Sequence, residues 1–223
     1  MATLSGAAGL PRVRPAAVAA ARSSSETGGG PTISRVRRVV VVGNSGSGKT
    51  TLADALAARL GVPHVELDAL HHGTGWTPAP PEELRAAVSA ALDDADAHAG
   101  GWVVCGNCAH VRSAIWARAD TIVWLDLPRR VVMPRVVARS LGRVARRVEL
   151  WNGNRERLGM LMALHDPERS VIRWAWDGVE GYRERYVPLM ASTTWADLRW
   201  FRLRTPRQVR AWLGTRSAHD GWC

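Results

Sequence analysis

Residues 39–56 read VVVVGNSGSGKTTLADAL. Within them Gly43, Asn44, Ser45, Gly46, Ser47, Gly48, Lys49 and Thr50 spell G-x-x-x-x-G-K-[ST], and Thr51 continues the run. The β-branched residues Val39–Val42 suit a buried parallel strand, and Leu52, Leu56 and Leu60 recur at helical spacing after the loop. Strand, glycine-rich loop and helix therefore arrive in the order that lets backbone N–H groups and a helix N-terminus converge on a polyphosphate. In that pattern the lysine reaches the β- and γ-phosphates and the Thr50 hydroxyl ligates Mg2+. Lys49 is the one lysine among 30 lysines and arginines. An ammonium on a slim stem fits where a planar guanidinium does not, so its survival marks a tightly closed site.

Composition sets the frame. A chain of 223 residues, 46% hydrophobic, is long enough for one domain with a sizeable core. No apolar run approaches the length of a membrane span. The net charge of +10 favours anionic ligands. Three cysteines do not make a secreted disulfide framework, and a reducing, cytoplasmic setting is expected. Residues 1–35 are rich in Ala, Ser, Gly, Pro and Arg and read as a disordered basic tail. Residues 36–214 read as the folded domain, with a short tail over 215–223.

Along the domain, VPHVELD reads as a second strand ending at Asp68, followed by an irregular Gly/Pro-rich loop. A helix over 81–98 opens with Pro81 and two glutamates. GWVVCGN and DTIVWLDLP are the third and fourth strands. A helix begins after Pro128, with Pro134 expected to kink it. Helical patterns then run to about Tyr186, LRWFRLR is a fifth strand, and Thr205–Pro206 starts a last helix. Strands alternating with helices argue for a five-stranded parallel α/β sheet flanked by helices. Ligands then bind beyond the carboxyl ends of the strands, at the glycine loop, Asp68, CGNC and Asp126.

The stretches VVGNSGSGKTTLA, ELDALHHGTGWTP, IVWLDLPRRVVMPRVVARSLGR and ELWNGNRERL resemble those of P-loop kinases of the adenylate, shikimate and gluconate kinase kind. They are most similar to the adenylate-kinase-like group labelled topology modulation protein. The resemblance implies an ATP- and Mg2+-dependent kinase core with an acceptor-binding flap at about 69–100 and an Arg-bearing lid at about 141–157. It implies that Arg135 packs by the adenine and Arg139 contacts phosphate, these two lying four apart on one helix face. Nine arginines against two glutamates between Arg129 and Arg157 concentrate positive charge there, and Arg139 and Arg155 are the candidates to hold charge on the transferring group. Asp68 stands where related kinases hold or deprotonate the acceptor hydroxyl, and His71 and Asn107 are further acceptor-site candidates.

Two departures matter. Cys105 occupies the place of an acid that related sequences carry before Gly-Asn, which bears on acceptor binding and Mg2+ ordering. The C-x-x-C pair Cys105 and Cys108 lacks the partners of a closed zinc site or the context of a redox motif. The expected function is transfer of the γ-phosphoryl group of ATP to a small-molecule acceptor, a hydroxyl compound or a nucleoside monophosphate. The alternative is an ATP-binding regulatory or nucleic-acid-associated protein with little transfer activity. A nucleic-acid patch is disfavoured because the tryptophans sit in apolar runs rather than among exposed basic residues.

Overall fold

The computed structural model describes residues 36–166 and 170–214; the tails read at 1–35 and 215–223 lie outside the described residues. Five parallel strands form one sheet: β1 (Arg38–Gly43), β2 (His64–Glu66), β3 (Trp102–Cys105), β4 (Thr121–Leu125) and β5 (Arg199–Leu203), in the order β2-β3-β1-β4-β5. The valines of β1 are at most 2% exposed because β3 and β4 pair with it on either side and helices cover both faces. This is why the strand reads as a continuous apolar run instead of an alternating one.

Among the described residues eight α-helices flank the sheet: α1 (Lys49–Leu60), α2 (Leu67–His71), α3 (Pro81–Ala99), α4 (Ala109–Trp116), α5 (Arg129–Ala145), α6 (Leu158–Met162), α7 (Val171–Met190) and α8 (Pro206–Gly214). The core is split by the sheet. On one face Leu84, Val88 and Leu92 of α3 pack with Trp102, Trp116, Trp124 and Tyr186. On the other, Leu52 and Leu56 of α1 meet Val39, Val41, Leu203 and Trp212. The start of α8 is a reciprocal cap: Gln208 N donates to Thr205 Oγ1 at 3.1 Å and Thr205 N donates to Gln208 Oε1 at 3.1 Å.

Two sequence expectations change, while helix α5 carries Pro134 within it and runs to Ala145. Strand β2 stops at Glu66, and Asp68 falls in the first turn of the short helix α2. Helix α4, which follows CGN, had no periodic signature long enough to announce it, since only Val111, Ile115 and Trp116 are buried along its eight residues. Among the described residues no helix is long and apolar enough to cross a membrane.

Candidate active site

The central strand β1 delivers its glycine loop to the carboxyl edge of the sheet, where neighbouring elements pin it. Asn107, in the turn after β3, accepts from Gly43 N at 3.0 Å through Oδ1 and donates to Gly43 O at 2.7 Å through Nδ2. The same Oδ1 accepts from the Tyr186 hydroxyl at 3.1 Å. Asn107 was expected to meet the acceptor; its amide is instead spent on holding the loop.

Asn44 is 4% exposed and donates through Nδ2 to Ala175 O of α7 at 2.5 Å, while its Oδ1 accepts from Ser45 N at 2.8 Å. Gly46 sits at φ +76°, and a Cβ there would lie 2.4 Å from Val136 Cγ2 and 2.9 Å from Val132 O of α5. Both the left-handed backbone and the contact with α5 therefore demand glycine. The loop is clamped from α7 on one side and α5 on the other.

At its far end Gly48 caps α1 with φ 93° and ψ 25°, and no side chain satisfies the helix N-terminus. The first-turn N–H groups are left to face a ligand. Lys49 Nζ donates to Asn44 O at 3.1 Å. Desolvation holds its pKa below the usual lysine value, and the Arg139 cation adds to this, while Asp68, Cys105 and Glu66 oppose it. Among the described residues Ser47 Oγ and Arg139 Nε are buried without a hydrogen-bond partner. An uncapped helix start, a lysine answered only by the loop's own carbonyl and two orphaned polar atoms fit a polyphosphate.

Arg139 reaches the loop from α5, donating through Nη2 to Ser45 Oγ at 2.9 Å. Burial lowers its pKa, and neighbouring Arg143 lowers it further; a guanidinium remains charged regardless. Arg143 is itself tied to Glu156 at 2.7 Å, with only 8% of the Glu156 side chain exposed. Arg155 is exposed and pairs with Glu149, its bridge partner, at 3.3 Å, with no contact to the P-loop among the described residues. Arg135 lies exposed one turn before Arg139 on α5, and Thr51 is exposed on the first turn of α1.

The acid that touches Thr50 is Glu66, which sequence reasoning passed over. Thr50 Oγ1 donates to Glu66 Oε1 at 3.2 Å and lies 3.9 Å from Cys105 Sγ. Glu66 pairs in register with Cys105 across β2 and β3, so a carboxylate is present one strand over from the position where cysteine replaces an acid. Its oxygens and the threonine hydroxyl are the hard donors that suit Mg2+. The available signal was the E-x-D spacing in ELD, which puts one acid on the last residue of β2 and the next in the first turn of α2. Cys105 is 2% exposed, and burial foremost, with Glu66 beside it, pushes its thiol up to about 12. Among the described residues Cys105 and Cys108 are free thiols, and no group of three or more His, Cys, Asp or Glu could hold a metal by itself.

Asp68 is half-buried on α2, and its charge is felt by Lys49, Arg139 and His72. Among the described residues its carboxylate has no hydrogen-bond partner. His71 meets His72 edge-on with ring centroids 4.8 Å apart, and Nδ1 of each is buried without a partner among the described residues. Burial lowers the pKa of His72, against the pull of Asp68, which favours its neutral imidazole. Asp126, at the end of β4, has a structural role, held by Arg183 at 2.7 Å and Arg202 at 2.6 Å.

The strand order, the loop geometry and the placement of Lys49 and Thr50 make this a P-loop NTPase fold. A family model described as ATPase family associated with various cellular activities (AAA) matches residues 39–101, which span β1, the loop, β2 and helices α1 to α3. No curated protein matches the sequence. Among solved structures, a sugar kinase from Janibacter sp. is 19% identical over 80% of this chain and 93% of its own, with a TM-score of 0.44. A gluconokinase from Sinorhizobium meliloti is 16% identical over 80% and 92%, at 0.43. A shikimate kinase from Bacteroides thetaiotaomicron is 14% identical over 81% and 95%, at 0.42. At such scores these likenesses say nothing about activity, and the chemistry has to come from the site.

Proposed function

We propose that this chain is a kinase that transfers the γ-phosphoryl group of ATP to the hydroxyl of a small molecule. One observation carries the reading: Asp68, a carboxylate without a hydrogen-bond partner among the described residues, lies within the field of Lys49 and Arg139, the two cations gathered at the P-loop. A protein that only binds nucleotide has no need of an unbonded acid beside its phosphate cations. A hydroxyl acceptor does need one, to orient it and to take its proton.

The roles follow from position. The loop amides of residues 43–50 and the start of α1 bind the triphosphate. Lys49 and Arg139 hold its outer phosphates and stabilise charge that grows as the group moves. Thr50 and Glu66 would hold Mg2+, which would supply positive charge to neutralise the phosphates during transfer. Asp68 orients the acceptor, with His71 and neutral His72 as adjoining polar contacts. Arg135, exposed on the same face of α5 as Arg139, packs by the adenine. The segments at about 69–100 and 141–157 act as flap and lid, and the two free thiols suit a reducing cytoplasmic setting.

The experiment is transfer from γ-labelled ATP to a panel of sugars, polyols and hydroxy acids beside a panel of nucleoside monophosphates. Label in a hydroxyl compound, lost in Asp68→Asn, supports the reading. Label in nucleoside monophosphates alone overturns the acceptor class. MgATP bound with no label transferred to either panel, together with salt-sensitive DNA binding, favours the regulatory alternative.

A further inference from the structure

Residues 151–154 read WNGN. They form the tip of a tight turn. Glu149 bridges Arg155, Leu150 N donates to Asn154 O at 2.7 Å, and Asn152 and Gly153 both adopt left-handed backbone at φ 56° and 78°. Asn-Gly is the pair that tolerates two such residues in succession.

The tip is fastened to the flap, some eighty residues away in sequence. Asn154, 4% exposed, accepts from Trp76 N at 2.8 Å and donates to Gly73 O at 2.8 Å. Asn152 Nδ2 donates to His72 O at 2.5 Å. The Trp151 ring stacks on His72 at 6.0 Å and meets Trp76 edge-on at 6.4 Å. His72, Trp76 and Trp151 belong to none of the buried core clusters, so these bonds close one segment over another without building the core.

One bond goes further. Trp151 Nε1 donates to Glu66 Oε2 at 2.8 Å, while Oε1 of the same carboxylate accepts from Thr50 at 3.2 Å. The indole therefore fixes the rotamer of the acid that faces the P-loop threonine. We propose that residues 151–154 are a latch that closes the 141–157 segment over the flap, and that Trp151 is a positioning residue whose N–H sets Glu66 against Thr50, completing the Mg2+ site when the latch is shut.

This rests on the nucleotide-binding reading above. The latch makes a demand that a merely structural turn does not: its effect appears in the metal dependence of ATP binding, not in ATP binding itself. Trp151→Phe keeps the ring and removes the N–H. In calorimetric titrations it is expected to leave ATP affinity in EDTA unchanged. It is expected to raise the Mg2+ concentration for half-maximal enhancement of ATP binding about tenfold, the scale of one hydrogen bond to a charged group. Glu66→Gln should shift that midpoint too, and the double variant no more than Glu66→Gln alone. Asn154→Ala opens the latch itself, so the amides of residues 72–77 should exchange faster and the Mg2+ midpoint should rise with them.

A Trp151→Phe midpoint within twofold of the parent, or additive effects of Trp151→Phe and Glu66→Gln, overturns the proposal. So does faster exchange in Asn154→Ala with an unmoved midpoint. Should Asn154→Ala fail to fold, the Trp151 and Glu66 pair decides alone. If the parent chain binds ATP neither with nor without Mg2+, the nucleotide reading falls and the latch proposal falls with it.

Discussion

Replacing Arg139 by alanine removes a cation that touches the P-loop through Ser45 at 2.9 Å and whose Nε is buried without a partner among the described residues. A unit charge about 4 Å from charge developing on the phosphoryl oxygens interacts with it by about 4 kcal/mol at an effective dielectric near 20. That corresponds to roughly 10³-fold in rate, the scale at which arginines act in phosphoryl transfer. Folding should suffer little. One hydrogen bond, worth about 1 kcal/mol, is lost, and relief of the like charge on Arg143, which lowers the Arg139 pKa, offsets part of it. The melting temperature should move by no more than about 4 °C. Steady-state kinetics with the acceptor found in the labelled-ATP panel would give kcat and the KM for ATP separately. Arg139→Ala is expected to lower kcat by two to three orders of magnitude with KM changed only a few-fold. Arg155→Ala, which removes an exposed pair with Glu149, should change either constant by less than about twofold. A raised KM with kcat nearly intact would refute the assignment, because Arg139 would then bind ground and transition states alike.

Gly178→Ala tests the clamp on the loop from α7. Its Cβ would lie 2.7 Å from Asn44 Oδ1, whereas an alanine at Gly181 meets nothing within 4 Å. The first should cost about 1–3 kcal/mol and weaken ATP binding, and the second should stabilise slightly through helix propensity; equal effects in melting and ATP titration would remove the clamp. Cys105, its thiol pushed up to about 12, is almost wholly protonated at pH 8. Iodoacetamide followed by peptide mapping should leave it unmodified in the native protein and label half-buried Cys108; rapid labelling of Cys105 would contradict its burial.

Much of the fold could be read because strong local patterns agree with it. The valine run, the glycine loop and the leucine spacing of α1 specify one strand–loop–helix unit, and the alternation of later strands and helices specifies a parallel sheet. What escaped reading was short or lateral. Helices α2 and α4 have five and eight residues, too few for a helical period to stand out, and missing α2 carried the end of β2 past Glu66 to Asp68. The P-loop residues were legible from spacing alone because the left-handed glycines Gly46 and Gly48 and the strand–loop–helix order that shape the loop are local features. The partnership of Thr50 with Glu66, and of Glu66 with Trp151, joins three elements that only the sheet order and the 151–154 turn bring together. Asn107 and Arg155 were drawn by motif position toward the acceptor and the phosphates. Their partners, the ends of Gly43 and the Glu149 carboxylate, lie at sequence separations of 64 and 6 with no pattern to announce them.

The central claim is that Lys49 closes a phosphate cradle too tight for any other cation, in a chain that uses arginine everywhere else. The most direct measurement is MgATP affinity and phosphoryl-transfer rate for Lys49→Arg beside the parent chain and Lys49→Ala. Lys49→Arg is expected to lose transfer nearly as completely as Lys49→Ala, with all three proteins melting within a few degrees of one another. Parent-level transfer by Lys49→Arg would contradict the account, because a site that accepts a guanidinium there is not the cradle described.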